Sequence, residues 1–251
     1  MSVPNAPIIA YRNLLREGTL QGGGTPAHAV DWRLDRSWQP GATSASLDCT
    51  LPSAQPAEAL SIAGHNLAGG TVTLRAWNGS AFVDVATIEP ADASCVMATF
   101  PAVSASRWQI AIQNPQPIAI AVPFLGPVLA LESGLRQGFV PPLFSQQAEI
   151  LDTTSQEGVP LGRSIRRQPG KTTINVTDLD DSWMRSHWLP FRDHALRYPF
   201  LLQWNPEGHP DEAALCWADG VPAANAYTRP GFMDGTLACR CLTDVPVGVP
   251  V

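Results

Sequence analysis

The side chains able to do chemistry are scattered along this sequence, and their spacing decides what each can do. The segment His28-Ala29-Val30-Asp31-Trp32-Arg33-Leu34-Asp35-Arg36-Ser37-Trp38 gathers carboxylates, guanidinium groups and indoles. An indole face can stack on a sugar ring while a carboxylate and a guanidinium bind its hydroxyls. Asp31, Arg33 and Trp38 are therefore candidate carbohydrate-binding residues. Asp31 with Asp35 is also a pair that a glycan hydrolase would have to place across a cleft. The same segment reads equally as a framework corner with Trp32 or Trp38 in the core. A second carboxylate group, Asp178, Asp180 and Asp181, has another use. Asp180-Asp181-Ser182 is a helix N-cap signal, with acids at the positive end of the helix dipole. Arg163, Arg166 and Arg167 lie beside Lys171 and are candidate subunit contacts, since Arg forks onto carboxylates and is enriched at interfaces. Their plain alternative is a solvated strand face.

The remaining candidates dissolve on inspection. His187 and His194 are seven apart on a helical stretch, two turns from each other, too far to share a metal without a bend at Pro190. His28, His65 and His209 stand singly, and His209-Pro210-Asp211 is a turn sequence. No G-x-S-x-G elbow exists. Gly22-Gly23-Gly24 has no Gly-Lys-Ser after it, so it is a surface turn and not a phosphate cradle. The five cysteines, Cys49, Cys95, Cys216, Cys239 and Cys241, are odd in number and sparse, which reads as buried free thiols. No catalytic residue, cofactor or metal is expected, and the chain is not expected to be an enzyme.

Composition points the same way. Only 15% of residues are charged against 45% apolar, a surface poor enough in charge to be partly covered by another chain. The bases are fifteen Arg and one Lys, and the net charge is −6. Acids outnumber bases on both sides of Leu131, so neither half is a footprint for phosphate backbones. The most apolar run, Ile118 to Leu131, is too short to span a bilayer and is broken by Pro123, Gly126 and Pro127. No leader is evident at Met1 to Pro7. A soluble protein made in the cytosol, with no membrane insertion, is expected.

The elements that position these residues are strands. Twenty-four prolines and twenty glycines are spread along the chain, which long helices cannot tolerate. Val72, Leu74 and Ala76 alternate along Thr71–Trp77, Asn78-Gly79 follows as a hairpin turn, and Ala81 to Ile88 returns as its partner. Trp108, Ile110 and Ile112 alternate likewise. In the second half, Ala148–Asp152 and Ser164–Arg167 are strands around a polar excursion. Thr172–Val176, Tyr198–Trp204, Ala213–Ala218 and Gly235–Leu242 are further strands. Met184, Trp188, Phe191 and Ala195 form one helical stripe that Pro190 must kink. The stretch Leu161 to Trp217 spends four tryptophans, Trp183, Trp188, Trp204 and Trp217, on framework, with no reactive cluster nearby. The expected fold is all-β: an N-terminal jelly-roll-like sandwich (1–130) plus a C-terminal β-rich domain with one short kinked helix (131–251).

Two resemblances follow from these residues. Asn13-Leu14-Leu15, His28–Asp31, Trp38-Gln39-Pro40, Ala59–Leu67, Trp77-Asn78-Gly79 and Arg107–Ile110 resemble a discoidin-type galactose-binding module, a jelly-roll sandwich whose variable loops form a binding surface. The usual acidic strand motif reads Leu47-Asp48-Cys49-Thr50-Leu51-Pro52 here, a departure at any calcium site. Leu161–Ser164, Trp183-Met184-Arg185, Pro199–Pro206 and His209–Ala213 resemble distal tail or minor tail-tip proteins of long flexible-tailed bacteriophages. That resemblance implies a virion structural protein in a ring, often sixfold, that joins tail tube to tip. It would contact copies of itself, the tube and the tip hub, with DNA as passing cargo, after assembly in the host cytoplasm. The sandwich would project outward, where it could touch host surface glycan. The alternatives are a stand-alone lectin-like carbohydrate-binding protein and a glycan hydrolase using Asp31 and Asp35.

Overall fold

The computed structural model describes residues 6–131, 134–136, 138–154, 156–157, 160–220 and 226–244. The fold is all-β, as the alternation requires, with one interrupted helix. Its strands are β1 (Ile8–Ala10), β2 (Thr19–Gln21), β3 (Ser44–His65), β4 (Thr71–Trp77), β5 (Phe82–Ile88), β6 (Val96–Gln113), β7 (Ile120–Gly126) and β8 (Leu129–Ala130). After these come β9 (Gln147–Thr154), β10 (Pro160–Gln168), β11 (Gly170–Asp180), β12 (Phe200–Gln203), β13 (Ala213–Ala218), β14 (Ala226–Arg229) and β15 (Phe232–Leu242).

The first half is a sandwich built on two long strands. β3 and β6 pair antiparallel along most of their lengths, with register shifts between Thr50 and Gln55 and between Ala57 and Ala59. Bulges bend and twist a ribbon, so its two ends belong to different layers. The early part of β3 and the late part of β6 join β2, β4 and β5 in a five-stranded layer. The late part of β3 carries β7 on its other side, giving three strands. Between the layers lie Leu47, Leu60, Ile62, Val72, Leu74, Trp108, Ile110, Ile112 and Ile120, all buried. The inward faces of β4 and β6 are those the alternation assigned. At the β4–β5 turn, Asn78 Oδ1 accepts from the Ser80 and Ala81 N–H groups at 3.0 and 2.9 Å, and Gly79 takes a positive φ of 104°.

A run of apolar residues with no polar alternation is what a strand buried on both faces requires. Every residue of β7 is buried. Leu125 faces the sandwich core with Leu60, while Val122 and Phe124 present the opposite face. That second face, with Ala59 and Ala63 of β3, packs on Ala10, Leu201, Ala213 and Leu215. The small side chains let the two layers approach closely. The three-stranded layer is thus a wall shared by the sandwich and the sheet behind it.

That sheet runs β11-β15-β13-β12-β1-β8, with β14 paired to β15. β1 pairs with β12 on one side and β8 on the other. Both β1 and β8 precede the division expected at 130/131, yet both are strands of the second sheet, so chain order and sheet membership part company there. Its far face carries Ile9, Ile174, Val176, Phe200, Leu202, Cys216, Leu237, Cys239 and Cys241. Cys239 and Cys241 share this face, two residues apart.

The helix covers it. Asp180 caps α1 (Asp181–Trp183), accepting from the Ser182 and Trp183 N–H groups at 2.8 and 3.4 Å. A wide π turn, Met184–Trp188, follows and leads into α2 (Leu189–Ala195). In that turn Leu189 N–H bonds to Met184 O. Pro190, which has no N–H and clashes with the carbonyl four residues back, is accommodated by this turn. The stripe Met184, Trp188, Phe191 and Ala195 stays in phase, and all four are buried against the sheet. Among the described residues no helix is long and apolar enough to cross a membrane.

Candidate interaction site

The loop expected to hold a sugar is used inside the molecule. Trp38 is fully buried; its Nε1–H donates to Gly23 O at 2.7 Å and its backbone bridges Ile120. A side chain with no exposed face offers no stacking platform, so Trp38 is a core residue and not a sugar contact. Asp31 Oδ1 accepts the Arg33 N–H at 3.0 Å, closing the turn. Arg33 forks onto Asp35 at 3.1 and 2.7 Å and holds that carboxyl below its ordinary range. Both residues of the pair are more than half exposed, and such pairs add little stability. Trp32 has a positive φ of 61° and packs toward the wall between the two sheets. The Arg16 guanidinium lies 5.7 Å from its ring and 4.3 Å from that of Tyr198 on the second half. The loop fastens the halves together by packing and cation–π contact.

The other candidates are placed as follows. Asp178 sits with a positive φ of 54° at the irregularity in β11, its N–H on Asp234 Oδ1 at 2.9 Å. Asp181 pairs with Arg185 at 2.9 Å. His187 stacks on Trp183 at 5.2 Å, and His194 meets Tyr11 and Tyr198 at 5.3 and 5.2 Å. His65 is buried, its Nε2 2.8 Å from Ser94 O while Nδ1 accepts from Leu67 N–H, and burial lowers its pKa. The five cysteines are free and buried. Burial pushes Cys49 up to about 11 and Cys95 to about 12, so neither thiol is an available nucleophile. Among the described residues no group of three or more His, Cys, Asp or Glu side chains lies together as metal ligands.

What remains uncovered is a ribbon. β9 and β10 pair only with each other, apart from both larger sheets. Ile150 lies opposite Ile165, Leu151 opposite Ser164 and Asp152 opposite Arg163. Every described side chain of the two strands is exposed. Ile150, Leu151, Leu161 and Ile165 are 54%, 50%, 65% and 64% exposed, and Phe144 at the foot is 74% exposed. Alternate residues point to opposite faces, so neither face is covered. A lone two-stranded hairpin is marginally stable in water, and clustered exposed aliphatics mark an interaction surface. Of the predicted contact residues, Arg163 pairs with Asp152 at 2.7 Å across the ribbon. Arg166 and Arg167 lie in β10 opposite Glu149 and Ala148; their side chains are outside the described residues.

A second surface had escaped the sequence reading. Trp77 and Phe82 meet edge to face at 5.3 Å where β4 turns into β5, and the Arg107 guanidinium lies 4.8 Å from the Trp77 ring. Trp77 also borders an open groove of about 540 Å³ lined by Val83, Val85, Phe100, Pro101 and Val103. The signal was available. If Val72, Leu74 and Ala76 point inward, Trp77 points outward with Arg75, and Arg107 points outward with Gln109.

No protein-family model matches this sequence, and no curated protein matches it. Solved structures similar to part of the chain include the family 32 carbohydrate-binding module from C. perfringens NanJ in complex with galactose, at 18% identity and TM-score 0.40. That match covers 49% of this chain and 99% of that one. Chitosan-binding module 1 from the chitosanase/glucanase of Paenibacillus sp. IK-5 matches at 16% identity and TM-score 0.38, over 45% of this chain and 98% of that one. A match to SpGH29 has 13% identity and TM-score 0.40, and covers 47% of this chain but only 28% of that one.

Proposed function

We propose that this chain is a structural, assembly-forming protein whose β9–β10 ribbon lies against a second copy, so that successive copies close a ring. One observation carries the reading: the ribbon leaves Ile150, Leu151, Leu161 and Ile165 uncovered on both faces. Burying one such side chain is worth ~1.5–3 kcal/mol, so covering the ribbon is a strong drive to associate. The sequence resemblance supplies the setting, a distal-tail or baseplate ring joining the tail tube of a bacteriophage to its tip. Its neighbours would be the tube and the tip hub, and the protein would be assembled in the host cytoplasm and carried in the virion. The net charge of −6 suits a bore through which DNA passes without adhering. The test is sedimentation velocity with negative-stain microscopy on purified protein. Closed rings are expected at micromolar concentration, and Ile150→Asp with Ile165→Asp should shift the population to folded monomer. A wild-type protein that stays monomeric at every concentration overturns the reading.

The groove at Trp77 and Phe100 favours a second reading, carbohydrate recognition by the sandwich. Aromatic rings, with Asn78 and Asp84 beside them, supply the stacking and hydrogen bonding that a sugar needs. If this reading holds, galactose- or glucosamine-type oligosaccharides quench the tryptophan fluorescence, and Trp77→Ala removes the response. Quenching that survives Trp77→Ala would place the sugar elsewhere, and no response to any oligosaccharide would end this reading.

A further inference from the structure

A cleft of about 510 Å³ opens where the loop after β5 meets the β12–β13 turn. Its apolar lining includes Val96 and Met97 of β6, Ala213 of β13 and half-buried Trp204. Four carboxylates stand around it, Glu89, Asp92, Asp211 and Glu212, and among the described residues no Lys or Arg lines it. Two of the four serve the fold. Asp92 accepts the Ser94 N–H at 2.8 Å, and Glu212 accepts the Trp204 Nε1–H at 2.6 Å. Glu89 and Asp211 are exposed and have no ion-pair partner among the described residues. An apolar floor ringed by acids suits one kind of side chain above others. The methylene stem of an arginine lies along the floor, and its planar head bonds to the carboxylates.

We infer that this cleft receives the β10 strand of a second copy, so that an arginine of that strand meets its carboxylates. The inference rests on the assembly reading above and names the surface on which the ribbon lands. Charge complementarity selects the occupant. β10 carries three arginines within five positions, Arg163, Arg166 and Arg167, in a chain with more acids than bases. The aliphatic side chains beside them need apolar cover, which the cleft floor offers. The cleft and the ribbon are different patches of one chain, so the contact is head-to-tail, the type that closes into a ring when the rotation permits. Leu143 lies both on the cleft and at the foot of the ribbon, so each copy presents its cleft beside the root of its own ribbon.

A charge-swap experiment on the full chain tests this. One protein carries Glu89→Lys and Asp211→Lys, and the other carries Arg166→Glu and Arg167→Glu. Each alone should associate roughly a hundredfold more weakly than wild type, since like charges now meet across the contact. Mixed in equal amounts, they should assemble again, because each reversed ribbon now faces a reversed cleft. Circular dichroism checks that both variants fold. If the Ile150→Asp and Ile165→Asp protein is monomeric while the cleft variant still assembles like wild type, the ribbon docks elsewhere and this inference fails alone. If the mixture does not recover, it fails likewise. A monomeric wild type ends both this inference and the assembly reading.

Discussion

Cutting the chain between Ala130 and Leu131 is expected to leave the C-terminal piece unfolded, although the domain boundary expected from the sequence falls there. β1 and β8 lie on the N-terminal side of the cut, yet they complete the second sheet. Without them β12 becomes an open edge, and Ile9 and Leu129 leave the core beneath the helix. The opposite face, with Leu201, Ala213 and Leu215, also loses its cover of Ala59, Val122 and Phe124. Each large aliphatic or aromatic side chain uncovered costs ~1.5–3 kcal/mol, and a whole domain has only about 5–15 kcal/mol of stability to lose. Residues 131–251 alone should therefore give a collapsed NMR amide spectrum, while the intact chain unfolds in a single transition. A dispersed spectrum from the isolated piece would show that the shared wall is dispensable. The consequence for function is geometric: the wall fixes the sandwich relative to the sheet from whose β11 edge the ribbon departs.

The sequence was legible where local periodicity meets burial. β4, the late part of β6 and the helix stripe each present one apolar face at one period, and each buries that face. The turn at Asn78-Gly79 and the cap at Asp180 were legible because their chemistry is local. β1 and β8 were not, since strands of three and two residues carry no period and their partners lie far away in sequence. The loop of Asp31, Arg33 and Trp38 misled for a related reason. Indoles beside charges look the same whether the ring faces solvent or core, and only the bridge of Trp38 to Ile120 decides it. Trp77 was the reverse case, placed outward by an alternation already in hand but not followed to its last residue. The ribbon shows a further limit. Ala148–Asp152 and Ser164–Arg167 read correctly as strands, but sequence does not say that no layer of the same chain lies over them.

Trp188→Ala should be considerably more damaging than Trp204→Ala. Trp188 is fully buried at the centre of the helix stripe, edge to face with Phe191 at 5.5 Å. Removing so large a buried ring costs ~3–5 kcal/mol. The indole rests on β15 at Gly235, where an added Cβ would lie 2.7 Å from its ring. Gly235→Ala should therefore cost about 1–3 kcal/mol through overpacking against a ring that has no room to move. In a protein already carrying Trp188→Ala, the same methyl group has nothing to strike. Its cost should then vanish or change sign, and a double-mutant cycle measures that coupling. Trp204, only partly buried, should lose roughly half as much on truncation, chiefly its bond to Glu212 and its stacking on His209 at 5.4 Å. Urea midpoints of the four proteins give the order directly. Equal losses at Trp188 and Trp204 would mean that the helix does not clamp β15. The β11–β15 pair would then be a poor root for a ribbon that must hold its direction while it reaches another copy.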